Sequence, residues 1–313
     1  MAFHWPHAGV LALALVSLGA PSAALAQEPR PNPPKPHADA VPAAYGERAQ
    51  AIWNQALALE SAEQLDRAAQ EFEQLTRLHP TVSAAYWRAA RSHWRIADVA
   101  LEAPRDERLA RFERARELAK RGAEIDPSCA ECLLWQFGSL GRLSILRGVL
   151  WGARHGSEMA DLLDRGIALH PATPADVELG TLGNLHYASA VFYRTAPEWF
   201  WLEWIIGVRG DLERALGDVR QALAQNPERI DYQIELGTIL LCLGERRGET
   251  ARTQEGIEAL KRALELPPVL ESDPIDQRYA RLLIERPAQA CTWSRDGFVD
   301  MDALTPANLG GDD

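Results

Sequence analysis

Leu65-Asp66-Arg67-Ala68-Ala69-Gln70-Glu71-Phe72-Glu73-Gln74-Leu75-Thr76-Arg77-Leu78-His79-Pro80 is the stretch on which the reading of this chain turns. Ala68 and Phe72 stand four apart and therefore share one face of a helix. Pro80 follows the last turn, where a residue that cannot continue a helix belongs. The same offsets return at Ala115, Ala119 and Pro127, at Met159, Leu163 and Pro171, at Ala215, Val219 and Pro227, and at Gly256, Leu260 and Pro268. Three residues further on, Gly122, Gly166, Ala222 and Ala263 are small enough to let a neighbouring helix approach; only Leu75 breaks that series.

These offsets resemble the A-x3-F...P half of the tetratricopeptide repeat. Its first half, W-x2-L-G-x2-Y, is matched by Leu236-Gly237, and by Leu182-Gly183 between Leu179 and His186, with Tyr86, Ala89, Ala90 and His93 as a third, looser match. The closing prolines stand further apart than the roughly 34 residues of the standard repeat, so the repeats carry insertions. One insertion holds the break Ala103-Pro104-Arg105-Asp106, and the largest surrounds residues 195–207. The expected fold class is all-α: a tetratricopeptide-repeat-like right-handed α-solenoid of about five helix pairs, about eleven helices with the capping one near 274–285, and no sheet.

Composition agrees with that expectation. The chain is 47% apolar and 25% charged, and Ala and Leu outnumber β-branched residues, which favours helix. Lys plus Arg total 33 against 44 Asp plus Glu, and the net charge of -11 argues against a general nucleic-acid binder, which carries a basic footprint. Four cysteines are too few for a disulfide-dependent scaffold, so the core must come from helix packing.

Residues 8–20 form an apolar run of signal-peptide length, followed by Pro21 and the small-residue triplet Ala24-Leu25-Ala26, so residues 1–26 read as a leader cleaved after Ala26. The run is shorter than the roughly 20 residues needed to cross a bilayer, and no transmembrane span is expected in the mature form. Pro29, Pro31, Pro33, Pro34, Pro36 and Pro42 make residues 27–44 an extended linker. The helical domain is expected over 45–287 and an acidic tail over 288–313. Export to the periplasm, or secretion, is the expected localisation.

The Pro-terminated repeats, the over-long helices and the insertion at 193–211 resemble the tetratricopeptide T-component proteins associated with TRAP-type transporters. That resemblance covers about residues 45–287. It implies a helical protein whose partner is a periplasmic solute-binding protein or the transporter itself. A lipidated amino terminus, common in that group, has no counterpart at Ala26-Gln27.

A superhelix of helix pairs presents its first helices on the concave side, where ligands and peptides bind. Trp53, Trp87 and Trp135 fall near the start of three such helices. On the second, Trp87, Arg91, Trp94 and Arg95 lie at i, i+4, i+7 and i+8, which is one face. Arg142, Asn184 and Tyr187 occupy comparable places further along. Arg offers a planar fork for a carboxylate or phosphate and Trp a stacking face, so this set is expected to line a groove for a protein partner; the alternative is a small anionic or amphipathic ligand. On that expectation Arg91→Ala and Arg95→Ala both weaken binding and spare the fold. The same residues also allow a plainer account, in which the tryptophans fill gaps between helices and the arginines are paired or solvated.

Cys129-Ala130-Glu131-Cys132 follows Asp126-Pro127 at a helix start, where a thiol pKa is lowered. A redox pair is open on that ground, but no thioredoxin-like context surrounds it, and a structural disulfide is the favoured account. Proximity pairs Cys129 with Cys132 and leaves Cys242 with Cys291. A zinc site would need two more ligands at suitable spacing, so neither metal nor cofactor is expected. Residues 199–206, with Trp199, Trp201 and Trp204 and ending at Ile206, are too short to span a membrane; their aromatics either sit at an interface, cover a partner, or bury against the repeats. No phosphate loop, nucleophile elbow or HExxH motif occurs, and the expected protein is not an enzyme. Assembly into an oligomer is compatible with all of this.

Overall fold

The computed structural model describes residues 40–171, 180–198, 207–294 and 297–298. The leader, most of the proline linker, the 199–206 stretch and the tail beyond 298 lie outside the described residues. The chain divides after Pro34, and every element described belongs to the unit from Lys35 onward.

Twelve α-helices occur among the described residues: α1 (Glu47–Ser61), α2 (Leu65–Leu78), α3 (Ser83–Val99), α4 (Arg105–Ile125), α5 (Ala130–Arg147), α6 (Val149–Arg154), α7 (Gly156–Ala168), α8 (Thr181–Thr195), α9 (Leu212–Gln225), α10 (Ile230–Arg247), α11 (Thr250–Glu265) and α12 (Asp273–Glu285). They pack in the pairs α1/α2, α3/α4, α5/α7, α8/α9 and α10/α11, with α12 against the last pair. This is the all-α repeat architecture read from the prolines. The short α6 is the addition. Gly148 before it adopts φ 98, a left-handed conformation that ends α5 and starts a new helix in another direction.

The repeat motif is the core. Ala68, Phe72, Ala115, Ala119, Met159, Leu163, Ala215, Val219, Gly256 and Leu260 are all buried. The small residues permit contact that a side chain would block. A Cβ on Gly122 would meet the Cys132 Sγ at 2.7 Å, and one on Gly166 would meet Leu185 Cδ2 at 2.7 Å. Each motif proline stands two or three residues beyond its helix end.

The folded body also extends past the boundary read at 287. A 3-10 turn at Pro287–Thr292 brings Cys291 to α10, where it forms a disulfide with Cys242. Ala290 and Trp293 are buried with Ile234 and Leu283. Among the described residues of the 45–287 domain no strand occurs, as expected; beyond it Trp293–Ser294 and Gly297–Phe298 form a two-residue antiparallel ladder.

Candidate binding pocket

Four helices turn one face inward. On α3 the stripe is Arg91, Trp94, Arg95 and Asp98; on α5 it is Leu134, Trp135, Gly138, Arg142 and Ile145; on α8 it is Asn184, Tyr187, Val191 and Arg194; on α10 it is Asp231 and Glu235. Each set follows the spacing of three and four that puts side chains on one helix face. Together with Leu270, Glu271, Ser272, Trp293 and Ser294 they enclose a pocket of about 710 Å³. Trp94 and Trp135 meet at 5.4 Å between ring centroids, and Tyr187 stacks on Tyr232 at 5.1 Å.

Carboxylates neutralise the wall arginines. Arg91 donates to Glu60 at 2.8 Å, and Arg88 donates to the other oxygen of the same carboxylate at 2.6 Å. Arg142 donates to Asp98 and lies over Trp94. Arg194 grips Glu235 with two bonds, 2.5 and 3.1 Å, and donates a third to the Trp293 carbonyl at 2.9 Å. Arg229 is paired with Asp231 at 2.6 Å; burial works against its charge, but the Asp231 carboxylate together with Tyr232 and Tyr187 outweighs that, so its pKa is raised. Arg95 pairs with Glu271 at 3.2 Å. The charges of this wall are spent on one another, and the expected invitation to an anion is correspondingly weak.

Of the residues singled out in the sequence, Arg91, Trp94, Arg95, Trp135, Arg142, Asn184 and Tyr187 come together on the pocket wall. Trp53 and Trp87 do not, and their assignment to the groove is corrected. Trp53 is 0% exposed and packs edge-on against Phe72 and Tyr45 inside the first pair. The reason lies in α1, whose buried stripe Ala49, Trp53, Ala56, Glu60 faces the neighbouring helices. Trp87 occupies the first turns of α3, which the start of α5 covers: its ring packs on Cys129 and Cys132, with the Arg88 guanidinium 4.4 Å from its centre. Arg91, though on the wall, is 3% exposed and ties α3 to α1 through Glu60.

Cys129 and Cys132 are bonded to each other, and the Cys129 sulfur accepts a hydrogen bond from the Cys132 amide at the start of α5. Among the described residues no group of three or more His, Cys, Asp or Glu could hold a metal ion, and no helix is long and apolar enough to cross a membrane.

Several wall residues escaped the sequence. Asp98 lies seven after Arg91 and Arg194 seven after Tyr187, so continuing the same stripes would have found both. Glu271 and Trp293 come from a loop and from the tail, where no repeat offset leads.

Two solved structures share the fold. A thermophilic TPR protein of Thermus thermophilus aligns with TM-score 0.51 at 16% identity over 75% of this chain and 100% of its own. The human IFIT1 dimer with m7Gppp-AAAA aligns with TM-score 0.53 at 14% identity over 77% of this chain and 48% of its own. No curated protein matches the sequence. The model of one family, described as Regulator of microtubule dynamics protein 1-3, matches residues 52–286.

Proposed function

This chain belongs to the regulator of microtubule dynamics protein 1-3 family, and from that membership and the pocket its inner helix faces enclose we propose that it is a non-catalytic helical-repeat scaffold that binds a protein partner. The observation that carries the proposal is the pocket of about 710 Å³ lined by α3, α5, α8 and α10, the first helices of four pairs and the surface on which repeat proteins take their ligands. Its lining combines apolar side chains such as Leu134, Phe137, Met159 and Val191 with paired charges. That chemistry suits an apolar segment of the partner and gives little for a bare anion to bind. Affinity capture with the purified protein, followed by hydrogen exchange on the complex, tests it. Protection should appear on the inner faces of α3, α5 and α8; protection confined to the outer helices α2, α4 and α9 would contradict it.

The finer form of this proposal is that the protein is exported and that its partner is the solute-binding component of a TRAP-type transporter. The disulfides Cys129–Cys132 and Cys242–Cys291 support export, since such bonds persist in oxidising compartments. The resemblance to the T-component proteins supports the choice of partner. An amino terminus at Gln27 in protein recovered from the periplasm checks the first, and co-purification of a solute-binding protein checks the second. The pocket's size also falls within the range of about 300 to 1,000 Å³ of small-molecule sites, which favours a small amphipathic ligand as the second reading.

A further inference from the structure

The pair Arg95–Glu271 differs from every other ion pair on the pocket wall. Arg95 stands on α3, whose helix neighbours are α2, α4 and α5. Glu271 stands on the non-helical link between α11 and α12, at the far end of the repeat stack. Both residues line the pocket, and their 3.2 Å contact therefore joins its two sides.

Accessibility separates this pair from the rest. The side chains of Arg95 and Glu271 are 16% and 20% exposed, against 8% and 12% for Arg229 and Asp231, 8% and 2% for Arg142 and Asp98, and 1% each for Arg194 and Glu235. An ion pair within reach of water contributes only about 0 to 1 kcal/mol and is weakened by salt, while a pair sealed from water is screened much less. Glu271 lies in a segment outside any helix, whose Val269 and Leu270 amides donate to the Asp273 carboxylate at 2.7 Å each, so the link is tied to the start of α12 and moves with it.

From this geometry we infer that Arg95 and Glu271 form a latch between the two sides of the pocket, and that its opening widens the entrance to the binding surface. The inference rests on the pocket being that surface, yet the latch can be tested without any ligand. Opening separates α3 from the link before α12, while the Arg91–Glu60 and Arg194–Glu235 pairs hold the repeats together. Repeat solenoids lend themselves to this, because each repeat packs only on its neighbours.

The test is a distance distribution between spin labels on Glu102→Cys, in the turn that follows α3, and Arg278→Cys, on α12, both exposed positions. The native cysteines are all in disulfides, so the introduced thiols are the ones labelled. Arg95→Ala should move the main distance outward and broaden it. The exchanged pair, Arg95→Glu with Glu271→Arg, should restore the original peak, which a mere loss of packing would not allow. High salt should broaden the distribution of the wild-type background and leave that of Arg95→Ala unchanged. Identical distributions in all variants, with or without salt, would overturn the latch. That result would leave the pocket's role in partner binding untouched, since the footprint on α3, α5 and α8 reports on it separately.

Discussion

Arg91 and Arg95 are one helical turn apart on the same face of α3 and do opposite things. Arg91 is sealed at the junction of the first two repeats, sharing Glu60 with Arg88. Arg95 reaches the other side of the pocket and remains in contact with water. Residue type and spacing alone make them equivalent. What separates them is the partner each finds, one on the adjoining repeat and one on a loop late in the chain. The first guanidinium belongs to folding and the second to access.

The comparison predicts unequal consequences. Arg91→Ala leaves the Glu60 carboxylate buried with half its partners, and removing one member of a buried pair costs about 3 to 5 kcal/mol. Thermal or urea unfolding should show that loss; an unchanged midpoint would make the two arginines equivalent after all. The expectation that both alanine variants spare the fold is thus revised for Arg91.

Replacing Cys242 and Cys291 together by Ser should come next, at about 2 to 4 kcal/mol, because this disulfide closes a loop with a sequence separation of 49. The Cys129–Cys132 bond closes a loop with a separation of only 3, and the corresponding double variant should lose clearly less. Equal losses in the two variants would show that loop closure is not what distinguishes them.

Glu73 sharpens the comparison on the outer side of α3. A hydrogen bond with His93 lowers its pKa to about 2 from 4.5, burial opposes this, and Arg114 adds to the lowering. A carboxylate depressed in the folded state contributes its stability above the unfolded value and loses it as pH falls through the folded value. The wild type should therefore lose stability between pH 4.5 and about pH 2, and Glu73→Gln should flatten that stretch of the profile. At neutral pH the variant should be weaker by roughly 1.5 kcal/mol, as for a hydrogen bond to a charged group. The smallest effect is expected from Arg95→Ala, within about 0 to 1 kcal/mol in unfolding experiments.

Much of the fold was legible because a helical repeat writes its core at fixed offsets. Ala68, Phe72 and their four counterparts read directly as buried pairs, and the prolines marked the helix ends. Seven of the proposed groove residues met on one wall for the same reason: a stripe on one helix continues at known spacing. Trp53 and Trp87 failed because the face that a tryptophan occupies depends on what covers it. The first turns of α3 are covered by Cys129 and Cys132, which no offset on α3 foretells. The carboxylate partners were invisible for a related reason. Glu60, Glu235 and Glu271 lie on other elements, and only the packed structure brings them to their arginines.

The central claim is that the pocket itself is the binding surface, and Gly141 tests it most directly. Gly141 lies on α5 and lines the pocket, and a Cβ built there meets nothing within 4 Å. Gly141→Phe should therefore fill the pocket without clashing with the helices behind it. Replacing a mid-helix glycine also tends to stabilise, by roughly 0.5 to 1 kcal/mol for Ala. Calorimetric titration of the captured partner should show binding lost to Gly141→Phe, while the melting temperature stays equal to or above that of the wild type. Undiminished affinity in the folded variant would contradict the account.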